Sequence, residues 1–485
     1  MTYRDKDRRR KILSIATLLL VLFLIVFFGL QFFTKTGIFK VPGVVIYDES
    51  VSQEEIIKLN SIFNDEIVLE KDVAVSAYDS FSIKDLAKNG FISEIYVPVA
   101  DYYESRNDVL EFEESEYKYI PIDELDFKQK LLSINNKYYL DELTEGAKFR
   151  VISFESELFD EEILPLISDL YTDKNISTDE ILTFAQTGVT ALSRGVNRKL
   201  GQVGDATFFA NKIGDYLSKF DITHTSNEAS FSDYATSENI CAKPEFVNTL
   251  KAIGLDVVEL TGNHNLDCGD ESALSTIDIY AENNIQIVGG GKTAEDAAKP
   301  LKISQKETNI TFLAYNLSTG GATYDSTPGA NQYYEENATA EIAVAKERGD
   351  FVLVDVQYYE CSAYVSEYED PTCDYANSSA GDQVGFFRHL IDLGADVVVG
   401  TSAHQPQTFE LYGDGAIYYG LGNLFFDQAW WPGTTRSLIL AHYFKDGKLL
   451  QTKLMPTSYD FDYQPSLLDE ESREWFIKRL TNARP

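Results

Sequence analysis

The sequence predicts a layered α/β sandwich preceded by a single N-terminal transmembrane helix and a small α/β domain. Three observations carry this prediction. Ile12 to Phe33 is an uninterrupted uncharged run behind a basic cluster. From Ile181 onward, short apolar strands alternate with helical segments. After about residue 408 that alternation gives way to paired strands around Asp-Gly turns.

Taking the elements in order, residues 1–11 form a cytoplasmic basic segment, with Arg4, Lys6, Arg8, Arg9, Arg10 and Lys11 ahead of the apolar run. The 22 residues 12–33 carry no charge. As a helix they would span roughly 33 Å, enough for a bilayer core. The positive-inside rule then places the short basic end in the cytoplasm and the rest of the chain outside. A cleaved signal peptide is the rival reading, but no small-x-small cleavage site follows the run. Residues 43–179 read as a small acidic α/β domain, in which VVIYD, VAVSAY, EIYVPVA and KYIPI are short strands and residues 53–63 a helix. It holds no catalytic motif, and its role is either a spacer or a ligand-binding lobe.

The main domain covers residues 181–460. Its expected strands are 181–188, 222–228, 255–260, 285–288, 311–315, 351–357 and 396–400. Its expected helices are 206–220, 244–253 with Pro244 at the tolerated first turn, 271–282 and 294–298. Gly289-Gly290-Gly291 reads as a tight turn, because the Gly-Lys-Ser/Thr ending of a phosphate loop is missing. Residues 408–419 and 437–455 read as two hairpins, which together imply a second, antiparallel sheet packed on the first. A terminal helix falls within 465–485.

With 485 residues, 44% of them hydrophobic, the chain has enough apolar material for two or three packed domains. Its formal net charge of −35 excludes nucleic acid as a partner, since phosphate binding needs clustered Lys and Arg. All four cysteines lie in the part that the topology places outside. No Cys-x-x-Cys pair exists, so disulfides are expected rather than zinc. The favoured pairs are Cys241 with Cys268 and Cys361 with Cys373.

The chemistry concentrates in Leu255–Gly269, LDVVELTGNHNLDCG, where an apolar strand breaks into Gly262-Asn263-His264. A strand's carboxyl end is where open α/β sheets build sites. Around it lie GVTALSRG at 188–195, THTSNE at 223–228, VDVQYYE at 354–360, GADVVVGTSAH at 394–404 and YGLGNLFFD at 419–427.

In order and spacing these motifs resemble the CapA-type poly-γ-glutamate capsule proteins, a family with a fold similar to calcineurin-like metallophosphoesterases. The resemblance covers roughly residues 184–430. It implies that His264, Glu228 and His404 are catalytic candidates and that Arg194, Asn227, Asn263, Gln357 and Asn423 contact substrate. It also makes Glu228, Asn263, His264 and His404 the metal-ligand candidates. Three positions depart from the family pattern. Val189 stands where the family has Asp, Gln357 where it has His, and Ser402 where it has the first His of a His-x-His pair. The retained ligands leave room for one divalent cation and are too few for a two-metal centre. Asn423 and Asp427 are expected to shape the rim, and His224, His389 and His442 to be structural.

The implied function is a membrane-anchored, extracytoplasmic protein of capsule or envelope-polymer synthesis or export. Its partners would be the polymer and the machinery that makes it, with hydrolase-like activity at a site whose metal-ligand set is incomplete. The alternatives are a non-catalytic binding or scaffold protein on a degenerate metallophosphoesterase fold and, third, a metal-dependent phosphodiesterase.

Overall fold

The computed structural model describes residues 43–47, 57, 67–71, 90–109, 117–134, 137–141, 148–155, 178–317, 320–323, 325–358, 382–430 and 432–485. The apolar run 12–33, the VAVSAY segment and the expected Cys361–Cys373 bridge lie outside the described residues. Among the described residues no helix is long and apolar enough to cross a membrane.

The chain divides into two compact units, residues 1–96 with 145–175, and residues 97–144 with 176–485. This division differs from the 43–179 reading, because residues 97–144 join the larger unit. In the smaller unit, Gly43–Tyr47 pairs in parallel with Ile67–Lys71 and antiparallel with Lys148–Glu155, which in turn pairs with residues 90–96.

In the larger unit, residues 97–144 are fixed by buried polar contacts of long sequence range. The Tyr102 and Tyr418 hydroxyls share a hydrogen bond of 2.8 Å. Leu131 N–H donates to Gln451 Oε1 at 2.8 Å, and the same Gln451 amide donates to the Asp126 and Gln129 carbonyls. No periodicity argument reaches across some 300 residues, which is why the sequence assigned this stretch elsewhere.

Two mixed sheets make the sandwich. The first runs, edge to edge, Gln286–Val288, Val257–Glu259, Ile222–Asn227, Leu182–Thr190, Arg436–Lys445, Lys448–Ser458 and Ser466–Leu467, with Asn423–Phe425 also on Leu182–Thr190. The second runs Leu301–Gln305, Thr308–Asn316, Phe351–Gln357, Val397–Gly400, Gly415–Tyr418 and Phe409–Tyr412. Both expected hairpins form, but they do not build a separate antiparallel sheet. Arg436–Ser458 extends the first sheet through Arg436–Lys445, which pairs antiparallel with Leu182–Thr190. Phe409–Tyr418 extends the second through Gly415–Tyr418, which pairs in parallel with Val397–Gly400. The physical reason is that a hairpin satisfies only one backbone edge of each strand, and the nearest unpaired edge in space takes the other.

Alternation along the strands separates the layers. Phe184, Ile222 and Val257 of the first sheet meet Phe312, Leu353, Val397 and Val399 of the second in one apolar core. Phe184 and Phe312 pack edge to face, centroids 5.5 Å apart. The intervening residues Val352, Val354, Val356 and Val398 face outward under the helices Glu335–Glu347 and Gln383–Asp392. The latter helix starts where Asp382 accepts from Gly385 N–H at 2.8 Å.

The expected helix over 206–220 is instead a 3₁₀ turn, Ala206–Ala210, and one α turn, Gly214–Leu217. Its apolar residues Phe209, Ile213 and Leu217 are still fully buried. Phe209 packs on Phe246 at 5.4 Å, and a side chain at Gly214 would press on the Ala252 carbonyl. Packing against the neighbouring helix Val247–Ala252 therefore overrides the local helical preference.

Cys241 and Cys268 are disulfide-bonded, with Cα atoms 6.2 Å apart, as expected from the sequence. The bond ties the segment before Pro244 to the loop that follows His264.

Candidate functional site

The carboxyl ends of Ile222–Asn227, Val257–Glu259, Phe351–Gln357 and Val397–Gly400 converge, and four of the sequence-selected residues meet there. Glu228 follows its strand immediately and is held by its backbone N–H on the Thr190 carbonyl at 3.0 Å. Gly262 allows the next loop to pass, because a Cβ there would lie 2.9 Å from Glu228 Cα and Cγ. That close passage sets Asn263 beside Glu228. On the other sheet, residues 355 and 357 of one strand face inward together, which delivers Gln357 to the same place.

The Gln357 carboxamide links the group. Its Nε2 donates to Asn263 Oδ1 at 3.0 Å and to Glu228 Oε1 at 3.4 Å, while its Oε1 accepts from the Thr401 hydroxyl at 3.3 Å. His404 approaches from the opposite side, its Nε2 4.0 Å from Glu228 Oε2. The His404 Nδ1 is 2.9 Å from Asn423 Oδ1. Asn423 spends its own N–H groups on Gln428 Oε1 and the Thr434 carbonyl, both at 3.0 Å. Its oxygen is therefore the acceptor, which places the proton on Nδ1 and leaves Nε2 aimed at Glu228. Glu228, Gln357, His404 and Asn423 are all buried.

The remaining candidates stand apart. The half-buried His264 bonds through Nδ1 to Asp267 Oδ2 at 2.9 Å on the loop surface. Asn227 alternates to the other face of its strand and donates to the Ala229 carbonyl at 3.0 Å. Arg194, with φ of 50° at the start of helix Gly195–Val203, donates through Nε to Asp427 Oδ1 at 2.8 Å. The same carboxylate accepts from Gly195 N–H at 3.0 Å. The Arg194 guanidinium lies 4.7 Å over the Phe426 ring, and that ring packs 5.1 Å from His404. Arg194 and Asp427 thus form the wall behind His404.

Behind the site, buried polar groups extend into the sandwich. His224 Nε2 lies 3.0 Å from Asp355 Oδ2, and Gln186 Nε2 donates to Asp355 Oδ1 at 2.7 Å. Glu259 accepts from the Thr261 N–H and hydroxyl. His224 and His442 flank Phe184, and the His442 ring stacks on it at 5.2 Å. His389 pairs at the surface with Glu335 at 2.6 Å. Asp355 and Glu259 were not selected from the sequence. The available signal was a carboxylate inside the otherwise apolar run VLVDV, two residues before Gln357.

Burial, and then the nearby Asp355 carboxylate, push the Glu259 carboxyl up to about 7 from an ordinary value of 4.5. A raised acid stabilises the fold while protonated in both states, below its unfolded value, and that contribution is lost as pH rises through its folded value. His442 works in the opposite sense. Burial lowers it to about 3, so its contribution is lost as pH falls from 6.5 toward 3. Glu259→Gln is therefore expected to remove a fall in thermal midpoint between about pH 4.5 and 7, read as the difference between variant and parent. Parallel curves for the two proteins across that interval would contradict the assignment.

The candidate ligands do not fit a metal ion. Among the described residues no group of three or more His, Cys, Asp or Glu side chains is placed to hold one. Glu228 and Asn263 do converge, but the nitrogen of Gln357, a donor, lies within hydrogen-bonding reach of both their oxygens. His264 is turned to Asp267.

Comparison with known proteins places this geometry in a family. A sequence model described as "Bacterial capsule synthesis protein PGA_cap" matches residues 183–428. The chain is 26% identical over 279 residues to the PGA biosynthesis protein CapA of Bacillus subtilis (strain 168), a match covering 56% of this chain and 70% of that protein. It is 25% identical over 282 residues to the capsule biosynthesis protein CapA of Bacillus anthracis, covering 55% and 65%. A probable polyglutamine synthesis accessory protein of Mycobacterium tuberculosis (strain ATCC 25618 / H37Rv) is 25% identical over 207 residues, covering 40% and 51%. The chain thus spans between about half and about two thirds of the length of these relatives. Every residue from Arg194 to Asp427 discussed above falls within the matched interval, and the chain belongs to the bacterial capsule synthesis protein PGA_cap family.

Proposed function

We propose that this protein takes part in the synthesis or export of a poly-γ-glutamate-type capsule or envelope polymer, as a single-pass membrane protein with its main domains outside the cytoplasm. The family match and the names of the Bacillus relatives support the polymer class. The basic cluster and the uncharged run 12–33 support the anchor. Two mixed sheets stacked under outer helices support a fold of the metallophosphoesterase type. The observation that carries the reading is the convergence of Glu228, Asn263, Gln357 and His404 at the carboxyl ends of four strands from both sheets.

A second reading, a non-catalytic binding or scaffold protein, is favoured by Gln357, which is neither an acid nor a base and sits at the centre of the cluster. In both readings the polymer or its synthesis machinery meets the protein at this site. Function is grafted on a fold by such a constellation and not by the fold itself.

Complementation of a gene deletion tests the proposal. Full-length protein is expected to restore cell-associated polymer, and His404→Gln, which keeps a polar side chain beside Asn423, to lose most of it at a thermal midpoint close to that of the parent. The half-buried His264, substituted by alanine, is expected to leave the midpoint unchanged and reports whether the loop contributes. Normal polymer levels in the deletion strain would overturn the function. Protease applied to the same cells is expected to remove an epitope beyond Phe33, and its full protection would overturn the topology.

A further inference from the structure

We infer that the amide of Gln357 takes the place of a divalent cation between Glu228 and Asn263, so that the pocket is assembled and operates without metal. The inference rests on the site reading above and not on the identity of the polymer.

The Glu228 carboxylate has no solvent exposure. A buried carboxylate needs compensation from donors, a cation or a proton. Here the Gln357 amide supplies a donor to one of the two oxygens. Oε1 accepts from Gln357 Nε2 at 3.4 Å, and Oε2 faces His404 Nε2 at 4.0 Å. A cation between Glu228 and Asn263 would have to sit about 2.0–2.2 Å from each oxygen. The Gln357 nitrogen, with its two hydrogens, lies 3.0 Å from Asn263 Oδ1 and donates to both residues.

The sense of that amide follows from its neighbours. Glu228 and Asn263 both present acceptors, and an amide turned the other way would set a third oxygen against them. On its far side, the Gln357 oxygen meets the Thr401 hydroxyl at 3.3 Å. The neighbouring side chains agree with this chemistry. Val189 adds no charge beside Asn423, to which it is paired across the strands, and Ser402 adds no imidazole beside His404. Glu228, Asn263, Gln357 and Thr401 thus form an internal hydrogen-bond network. In that network Gln357 is a positioning residue, since it sets the separation of Glu228 and Asn263.

Titration of Mn²⁺ into the purified full-length protein, followed by calorimetry and by elemental analysis after dialysis, tests this directly. No saturable binding is expected at micromolar Mn²⁺, and a chelator is expected to leave the thermal midpoint unchanged. Gln357→Glu removes the bridging donor and places a second carboxylate beside Glu228. It is expected to gain Mn²⁺ affinity by about tenfold or more, and to be stabilised by the ion. Stoichiometric Mn²⁺ on the parent protein, lost in Glu228→Gln, would overturn the inference even if Gln357→Glu failed to fold. Loss of polymer function in the complementation assay would leave this result unaffected, because the two experiments read different quantities.

Discussion

Asp355→Ala is expected to destabilise the protein by about 1–3 kcal/mol, the usual cost of leaving a buried donor without its acceptor. Asp355 and His224 are both fully buried, 3.0 Å apart, and they join the two sheets at the centre of the sandwich. The substitution leaves His224 without its carboxylate and the Gln186 amide without its acceptor at 2.7 Å. Asp355→Asn keeps an oxygen for Gln186 and is expected to cost less. Urea denaturation of the three proteins measures the series. A midpoint shift in Asp355→Ala worth less than about 0.5 kcal/mol would show that the buried Gln186–Asp355 contact contributes little.

Removal of the Cys241–Cys268 bond is the second large effect. The two cysteines are 27 residues apart in sequence. Closing a loop of that length lowers the entropy of the unfolded chain by an amount worth about 3–4 kcal/mol. The double variant Cys241→Ser, Cys268→Ser is expected to lose that stability, and reductant is expected to lower the midpoint of the parent but not of the variant. Native links oppose part of the loss. Asn197 Nδ2 donates to the Cys241 carbonyl at 2.8 Å, and Ser232 N–H donates to the Ala242 carbonyl at 2.8 Å. Equal stability with and without reductant would mean that these contacts alone hold the segment.

Both predictions concern residues that the sequence displayed unequally. The disulfide was readable, because cysteines without a metal-binding spacing, in a segment expected to lie outside the cytoplasm, have few other uses. The pair of His224 with Asp355 was not, since 131 residues and two different sheets separate them, and only the fold brings them within 3.0 Å. The same contrast runs through the site. Gly262-Asn263-His264 announced a strand end, and the strand is there, though three residues long instead of six. Its imidazole was the most prominent candidate, yet His264 bonds Asp267 while the less prominent Gln357 holds the cluster together.

What the sequence by itself determined are the properties set by near neighbours. The strands 182–190, 222–227 and 351–357, the helices 270–282 and 470–482, and both hairpin turns follow from periodicity and turn chemistry within a dozen residues. So does the family, because its motifs are local strings read in order along the chain. The tertiary structure decided which edge each hairpin joined, that residues 97–144 pack with the larger unit, and that an amide donor fills the space between Glu228 and Asn263. Those outcomes depend on which unpaired backbone edges and buried charges meet in space. A buried carboxylate is compensated by whatever donor the packed sheets bring to it, and no local pattern in the chain encodes that encounter.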